Sequence, residues 1–406
     1  MQAHYEVIVV GGGMVGAAVA CALGHGGVRV ALLDKAEPLR QWPAEPLDMR
    51  VSALTRASRL LLEQLGAWPG MVRRGVSAYR EMRVFDARAD GELHFDCADT
   101  EYNALGHIVE NRVTLAALWD ALDTLDSVEC ITPATVAAIE TDPEGARLRL
   151  DDGRLVAADL VIAADGHDSA LRTMAGIGVT GWDYGQHGLV ATVTTELSHR
   201  ATAWQRFLDQ GPLALLPLAN GQSSIVWTLR SDTAKAYLAL PEADFLTALE
   251  EAANGLLGKM VAVGARAAFP LRFQHANSYT ADHLALVGDA AHVMHPLAGQ
   301  GANAGFLDAA AIAEIILDAR REQRSLSGRG LLRRYERWRK GDNLIMMGSM
   351  DVLNKAFGIH STEMAGLRSA GMNWINRNVL IKNLFNHYAM GLRDDLPSLA
   401  KGKACW

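Results

Sequence analysis

The chain of 406 residues has no run of five or six basic residues, and its formal net charge is −7. Nucleic acid, whose phosphates demand a basic footprint, is therefore excluded as a partner. No apolar stretch reaches the ~18–20 residues that cross a bilayer, so no transmembrane segment is predicted. The amino terminus lacks a basic n-region, and its first apolar run, Val7 to Val10, leads into glycines as a strand does rather than as a secretory signal does. Cysteine is scarce: Cys21, Cys97, Cys130 and Cys405 stand far apart with no CxxC pair. That spacing offers neither a zinc site nor a redox couple, and it predicts reduced thiols in a cytoplasmic protein. Internal repeats and low-complexity tracts are absent too.

What remains is a composition of 50% hydrophobic and 21% charged residues. It fits a globular enzyme, and the length allows two domains around substantial cores.

The β-branched run Tyr5-Glu-Val-Ile-Val-Val10 meets Gly11-Gly-Gly13-Met-Val-Gly16 and then the small-residue helix Ala17 to Leu23. A second strand, Val28 to Asp34, ends in an acid 18 residues after Gly16. Strand, glycines, helix, strand and acid make the complete context of a dinucleotide fingerprint. The glycines allow a tight turn, the helix N-terminus receives a pyrophosphate, and the acid accepts from a ribose hydroxyl. No second fingerprint follows. One dinucleotide is held permanently, and a reductant, NAD(P)H or another electron donor, must visit transiently.

Two further strands end in acid and glycine. Leu160 to Ala164 runs into Asp165-Gly166-His167-Asp168-Ser169, and Leu284 to Val287 runs into Gly288-Asp289. The second continues through His292, His295, Pro296, Gly299, Gln300, Gly301, Asn303 and Gly305 into an Ala/Ile-rich helix expected from about 306 to 318. A carboxylate at a strand end suits a ribityl or ribose hydroxyl, and glycines at a helix N-terminus let bare N–H groups approach an electron-rich ring. Pro296 would fix the backbone where such a ring lies. His292 and His295 have no Cys or acidic partner in sequence, so no metal is predicted there. No catalytic residue can be assigned from the sequence, and a G-x-S-x-G elbow for serine chemistry is missing.

Between these segments, Asp48-Met-Arg50 could reach a diphosphate or lie over a ring, or serve as a surface charge. A helix is expected from about Thr55 to Leu65, strands within 82–96, and a helix after Asn111-Arg112. Residues 189–273 read as mostly β with one helix near 242–254. Their apolar side chains suit a core, a greasy substrate cavity, or both. The C-terminal region reads as helical, and Trp374 to Tyr388 has the spacing of an amphipathic helix, docked on the protein or on a membrane.

Taken together, GxGxxG at Gly11–Gly16, Asp165-Gly166 with Ser169 and Arg172, and Gly288-Asp289 with His292, Pro296 and Gly299-Gln-Gly301 resemble the aromatic-ring hydroxylases related to 4-hydroxybenzoate hydroxylase. Asp48-x-Arg50, Gly106-His-Ile-Val-Glu110-Asn111, Trp182-Asp-Tyr184, Leu215-Leu-Pro-Leu218, Ser224-Ile-Val-Trp227 and Tyr335-Glu-Arg are similar to the ubiquinone-biosynthesis hydroxylases. Ile177-Gly-Val, Trp204-Gln, Gly211-Pro212, Asp342-Asn343 and Met350-Asp351 lean towards hydroxylation of the 2-polyprenyl-3-methyl-6-methoxy-1,4-benzoquinol intermediate. The branch acting at ring position 5 is nearly as similar.

The resemblance implies an α/β fold: a Rossmann-like FAD-binding domain from 1–75, 105–180 and 276–330, a mixed-sheet substrate domain from 76–104 and 181–275, and a helical region over 331–406. It implies FAD, with Gly11, Gly13 and Gly16 at the pyrophosphate and Asp34 at the adenosine ribose. Arg50 and Arg112 would reach the diphosphate or ribityl region, and Asp165 and Gly166 would serve both FAD and the nicotinamide. Asp289 would hold the ribityl chain; Pro296, Gly299, Gln300, Gly301 and Asn303 would border the isoalloxazine. Oxygen as co-substrate would add at flavin C4a, and the hydroperoxide would pass OH to an electron-rich ring. A polyprenyl aromatic substrate follows, with a ubiquinone-biosynthesis complex or peripheral contact with the inner membrane as expected settings. Two departures stand out. His167-Asp168 replaces the small or amide residues commoner in the nicotinamide segment, and Ala302 and Ala304 replace bulkier aliphatics, which predicts a wider pocket beside the ring. Other readings on the same fold are a small-aromatic hydroxylase, an isoprenoid flavin reductase and a non-catalytic prenyl-lipid carrier. A flavin halogenase would need a Trp-x-Trp-x-Ile-Pro motif that this chain lacks.

Overall fold

The computed structural model describes residues 3–43, 45–295, 299–358, 362–378, 382, 390–393 and 395–406. Its architecture is mixed α/β, with two eight-stranded sheets and one of three strands. The first sheet is the nucleotide sheet. Five parallel strands lie in the spatial order Leu284–Leu286, Leu155–Ala163, Ala3–Val10, Val30–Leu33 and Val128–Ile131. Parallel strands covered on both faces need continuous apolar runs, and Val7-Ile8-Val9 and Leu160 to Ala163 are wholly buried. The hairpin Val136–Asp142 and Gly145–Leu150 extends the sheet antiparallel from residues 155–158.

Helices Met14–His25, Asn111–Leu122 and Gln300–Arg321 pack around this sheet. Small residues set how near the helices come. A Cβ on Gly305 would stand 2.6 Å from Val15 Cγ2, so only glycine lets the long helix touch the first one.

The covering sheet runs His292–Val293, Met260–Ala276, Val179–Thr195, Ser223–Arg230, Gly211–Pro217, Thr202–Leu208, Glu81–Asp86 and Glu92–Asp96. It is antiparallel except where Thr202–Leu208 lies along Glu81–Asp86. One face, through Leu189, Leu213, Leu215 and Trp227, buries against Phe245 and Leu249 of helix Glu242–Ala253. A second helix, Ser231–Ala239, precedes that one and was not expected from sequence. Ala234 is its only buried residue, so it carries no apolar stripe to read. The small antiparallel sheet pairs Val51–Leu54 and Ser77–Tyr79 with Gly106–Glu110.

The C-terminal region expected to be helical opens with one long helix, Arg329–Phe357. Burial of Arg339 and Asn343 on its inner face outweighs the propensity cost of Gly341 and Gly348. Helix Thr362–Arg377 follows. Of the expected Trp374–Tyr388 helix, residues 379–381 and 383–389 lie outside the described residues. Among the described residues, no helix is long and apolar enough to cross a membrane.

Candidate functional site: a nucleotide cleft and an adjoining apolar cavity

The ends of the parallel strands meet the glycine turn. Gly11 has φ +103°, and a Cβ there would stand 2.3 Å from the Ala164 carbonyl oxygen. A Cβ on Gly16 would be 1.8 Å from the Gly11 oxygen, so the crossing of turn and helix demands glycine. Gly13 precedes helix Met14–His25 without a side-chain cap, and its missing Cβ would meet nothing within 4 Å. The first N–H groups of that helix are thus left for a ligand. They stand at a cleft of about 360 Å³ lined by Gly11, Gly13, Asp34, Ala164, Asp165 and Gly166.

Asp34 accepts from the backbone N–H of Gly12 at 2.5 Å and of Ala36 at 3.1 Å. Beneath the turn lies Trp119, read from sequence only as part of an apolar stripe. It is fully buried, and its indole N–H donates to the Gly12 carbonyl at 2.8 Å. Asp165 accepts from Leu171 N–H at 3.1 Å, and its Oδ1 is buried without a partner among the described residues. Such an orphan acceptor is what a donor from a bound group satisfies. Arg172, behind it, donates to the Ala290 and His167 carbonyls at 2.9 and 2.8 Å, tying the Asp165 motif to the Asp289 motif.

Asp289 is crowded by protein on most sides yet keeps accessible surface, as a residue on the floor of an open cleft does. Desolvation raises its carboxyl above the ordinary range, against the pull of His292, His167 and Arg50. The Arg50 guanidinium stands 5.7 Å from the centre of the Phe269 ring. Arg112 is placed differently. It pairs with Glu110 at 2.7 Å, donates to the Pro46 carbonyl at 3.0 Å and covers Trp42. Pro296 lies outside the described residues.

Gly299, at φ +63°, precedes helix Gln300–Arg321 with no side-chain cap. A Cβ on Gly301 would meet open space. The N-terminal end of this helix, beside Gly299 and Gly301, carries the positive end of the helix dipole, which favours an electron-rich edge. Asn303 is held within the protein. Its Oδ1 accepts from Thr55 N–H at 3.0 Å and Ser58 Oγ at 2.7 Å, and its Nδ2 donates to the Ala53 and Gly299 carbonyls at 2.8 and 3.1 Å. That uses the full hydrogen-bonding capacity of the side-chain amide. Asn303 clamps strand Val51–Leu54 to the glycine loop. Ala302 and Ala304, expected to widen a pocket beside the ring, make packing contacts among the described residues. Ala304 packs on Met294, Met346 and Met347, and Ala302 packs on the main core.

Behind the glycine loop sits a buried polar network. Asp308 accepts from His292 Nε2 at 2.5 Å, Gly288 N–H at 3.1 Å, Arg339 Nε at 2.8 Å and Asn343 Nδ2 at 3.1 Å. Burial pushes its carboxyl up, but His292 and Arg339 outweigh that and hold it at about 2. Arg339 also donates to Asp342 and to Asn343, at 2.8 and 3.0 Å. An acid amid the alanines and isoleucines of a buried helix was a legible signal of such a network.

Between the small sheet and the covering sheet lies a second cavity, of about 150 Å³. Val51, Ala53 and Ile108 form one wall, Ala203, Pro212, Ala214, Leu216 and Val226 the other, and Gly299 with Gln300 close it on the side of the glycine loop. Its lining is mostly apolar, and among the described lining residues none is charged. A dinucleotide cleft and an apolar cavity bordered by Gly299 and Gln300 in one chain can serve a flavin and a greasy ring.

Known proteins agree with this geometry. Residues 4–341 match the FAD binding domain family. The chain is 38% identical over 400 residues to ubiquinone hydroxylase UbiL of Rhodospirillum rubrum, spanning 98% of this chain and 92% of that protein. It is 34% identical to the 3-demethoxyubiquinol 3-hydroxylase of Escherichia coli, over 95% and 98% of the two chains. The crystal structure of p-nitrophenol 4-monooxygenase PnpA from Pseudomonas putida superposes with a TM-score of 0.78 at 20% identity, covering 96% of this chain and 99% of that one, which establishes the shared fold. The protein belongs to the FAD binding domain family, as an FAD-dependent monooxygenase of the ubiquinone-biosynthesis hydroxylase group.

Proposed function

We propose that this enzyme hydroxylates the aromatic ring of a polyprenylated phenol or quinol in ubiquinone biosynthesis, with 2-polyprenyl-3-methyl-6-methoxy-1,4-benzoquinol as its substrate. The observation that carries this reading is the uncharged apolar cavity ending at Gly299-Gln300. It offers an apolar ring and chain a desolvated place beside the flavin loop. The 34% identity to a demethoxyubiquinol hydroxylase supports the same substrate class.

The residues fit FAD. Gly11, Gly13 and Gly16 would leave room for its pyrophosphate, Asp34 and Asp165 would accept from its hydroxyls, and Asp289 would hold its ribityl chain. The N–H groups around Gly299, Gln300 and Gly301 would favour negative charge at the ring edge, with Pro296 beside them. Arg50 would balance the charge of the cofactor. Bound FAD supplies the activation of O2, using electrons from NAD(P)H or another donor. The protein orients the substrate ring, excludes water through its apolar walls and holds the cofactor still. Among the described lining residues there is no carboxylate, imidazole or amine to take a phenolic proton. In this reading the FAD domain comprises 1–75, 105–180 and 276–330, and the substrate domain 76–104 and 181–275.

A lipid substrate must be collected from a bilayer or from a partner in a biosynthetic complex. Ile345 and Val352, and likewise Leu367 and Trp374, are seven residues apart on their helices and 59–65% exposed. That spacing puts each pair on one helix face, which supports peripheral membrane contact. Flotation with anionic vesicles should fall on changing Ile345 and Val352 together to Ser; unchanged flotation counts against contact through this helix.

The deciding experiment is lipid extraction from cells lacking the protein, beside the absorbance spectrum of the purified chain. A flavin spectrum with one accumulated quinone precursor lacking a ring oxygen is expected, and the precursor names the ring position, including position 5. A colourless protein or an unchanged quinone pool would move the function to a carrier or to another aromatic substrate.

A further inference from the structure

We propose that Glu81, His94 and Asp96 form a binding site for a divalent transition-metal ion of the zinc class, on the face of strand Glu81–Asp86 opposite Met82.

The donors come together across two strands. His94 and Asp96 are two residues apart on the last strand of the covering sheet, so their side chains leave the same face. Glu81 is registered directly opposite Asp96 on the neighbouring strand. One ring nitrogen of His94 and one oxygen of each carboxylate lie within 4.8 Å of one another. Zinc holds such donors at about 2.0–2.2 Å, which sets them about 3.4 Å apart in a tetrahedral arrangement. Glu81 Oε2 and His94 Nε2 already stand 2.8 Å apart, so modest side-chain rotation closes the set. Glu81 and His94 are 13 residues apart in sequence, and no short spacing motif announces the group.

Charge favours a cation here. Two carboxylates placed directly opposite each other across a strand pair repel. Arg83, the next cation along the strand, is taken by Glu92 at 2.8 Å and lies over the Phe85 and Trp204 rings. Two carboxylates with a neutral imidazole carry two negative charges, which one divalent ion cancels. The imidazole decides the class of ion, since magnesium and calcium prefer oxygen donors alone while nitrogen suits zinc and its first-row neighbours.

The donors are also held in place. Asp96 Oδ1 accepts from the Ala98 N–H at 2.8 Å, which leaves the other oxygen for an ion. The His94 backbone N–H donates to Asn376 Oδ1 at 3.1 Å, anchoring the strand to helix Thr362–Arg377. The Glu81 and His94 side chains are 36% and 32% exposed, so an ion enters from solvent and water completes its coordination. Bound metal would clip the last strand to the one whose Met82 lines the apolar cavity on its other face.

The test is calorimetric titration of the flavin-loaded full chain, first freed of metal by a chelator and dialysed, with zinc chloride. One equivalent should bind with a Kd of about 10 μM or tighter, and millimolar magnesium should not compete. His94→Gln and Asp96→Asn should each weaken zinc binding about tenfold or more while keeping flavin, and Asn still caps the Ala98 N–H. Zinc in large excess over its Kd should raise the wild-type thermal midpoint by about 2 °C or more and leave the doubly substituted chain unmoved. His4→Gln, at the exposed His4–Asp159 pair, should bind zinc as wild type does. If His94→Gln loses its flavin, Glu81→Gln carries the same comparison. Absence of stoichiometric binding, wild-type affinity in the doubly substituted chain, equal competition by magnesium, or binding lost with His4 overturns the assignment. Each of these outcomes leaves the hydroxylase reading standing.

Discussion

At the scale of single residues, the site divides into groups whose chemistry could be read from spacing and groups whose partners could not. Asp34, Asp165 and Asp289 stand at strand ends because an acid after a buried run announces itself. Asn303 sits in an equally recognisable stretch, yet its role was legible only in three dimensions, since its partners Ala53, Thr55 and Ser58 lie about 245–250 residues away. Changing Asn303 to Ala should cost about 3 kcal/mol, because several buried partners are left unsatisfied. Urea unfolding monitored by circular dichroism would measure it, and a loss under about 1 kcal/mol would contradict the clamp. Three histidines set an acid limit. Desolvation chiefly, helped at His107 by Arg59 and at His275 by Lys340 and His292, lowers His107, His275 and His295 to about 4. Unfolded imidazoles take a proton near ~6.5. As pH falls from there to about 4, the unfolded chain binds protons that the folded chain refuses, so stability should decline across that window. Thermal midpoints between pH 7 and 4 test this, and His295→Gln, which removes a buried ring with no hydrogen-bond partner among the described residues, should flatten the slope.

Among the elements, helices Gln300–Arg321 and Arg329–Phe357 are joined by a charge network rather than by apolar packing alone. Asp308 on the first meets Arg339 on the second, with His292 and the Gly288 N–H on its other side, so the network braces the backbone beside Asp289. Asp308→Asn leaves the buried Arg339 with Asp342 as its remaining carboxylate partner and should cost about 3 kcal/mol. Flavin affinity should weaken with it. The acid limb belongs to a different window from the histidines: with its carboxyl held at about 2, Asp308 contributes stability that is lost only as pH falls from the unfolded value of ~3.8 towards 2. In the Asn variant that lower limb should disappear while the limb above pH 4 persists. The helix at 306–318 was legible from its alanines, but its true start at Gln300 was not. Gly301, Asn303 and Gly305 are poor evidence for a helix, and the Asn303 clamp supplies what propensity lacks.

For the whole molecule, cofactor binding should couple to folding. Asp289→Ala should purify without yellow colour, and its thermal midpoint should match that of wild type stripped of flavin. Both should lie several degrees below the loaded enzyme, since ligand at a hundredfold excess over its Kd adds about 2.7 kcal/mol. A variant that stays yellow would remove Asp289 from the site. By itself, the sequence determined the α/β class, the FAD fingerprint and the three strand-end acids, because each depends on residues within one strand, turn and helix. Tertiary structure alone decided that Gly299-Gln300 meets the apolar cavity, that Tyr79 and Gln205 enter it from opposite sheets, and that Arg112 and Asn303 spend their hydrogen bonds within the protein. Those facts depend on which strands lie side by side and which faces they turn inward, and local pattern carries no record of a partner two hundred residues away.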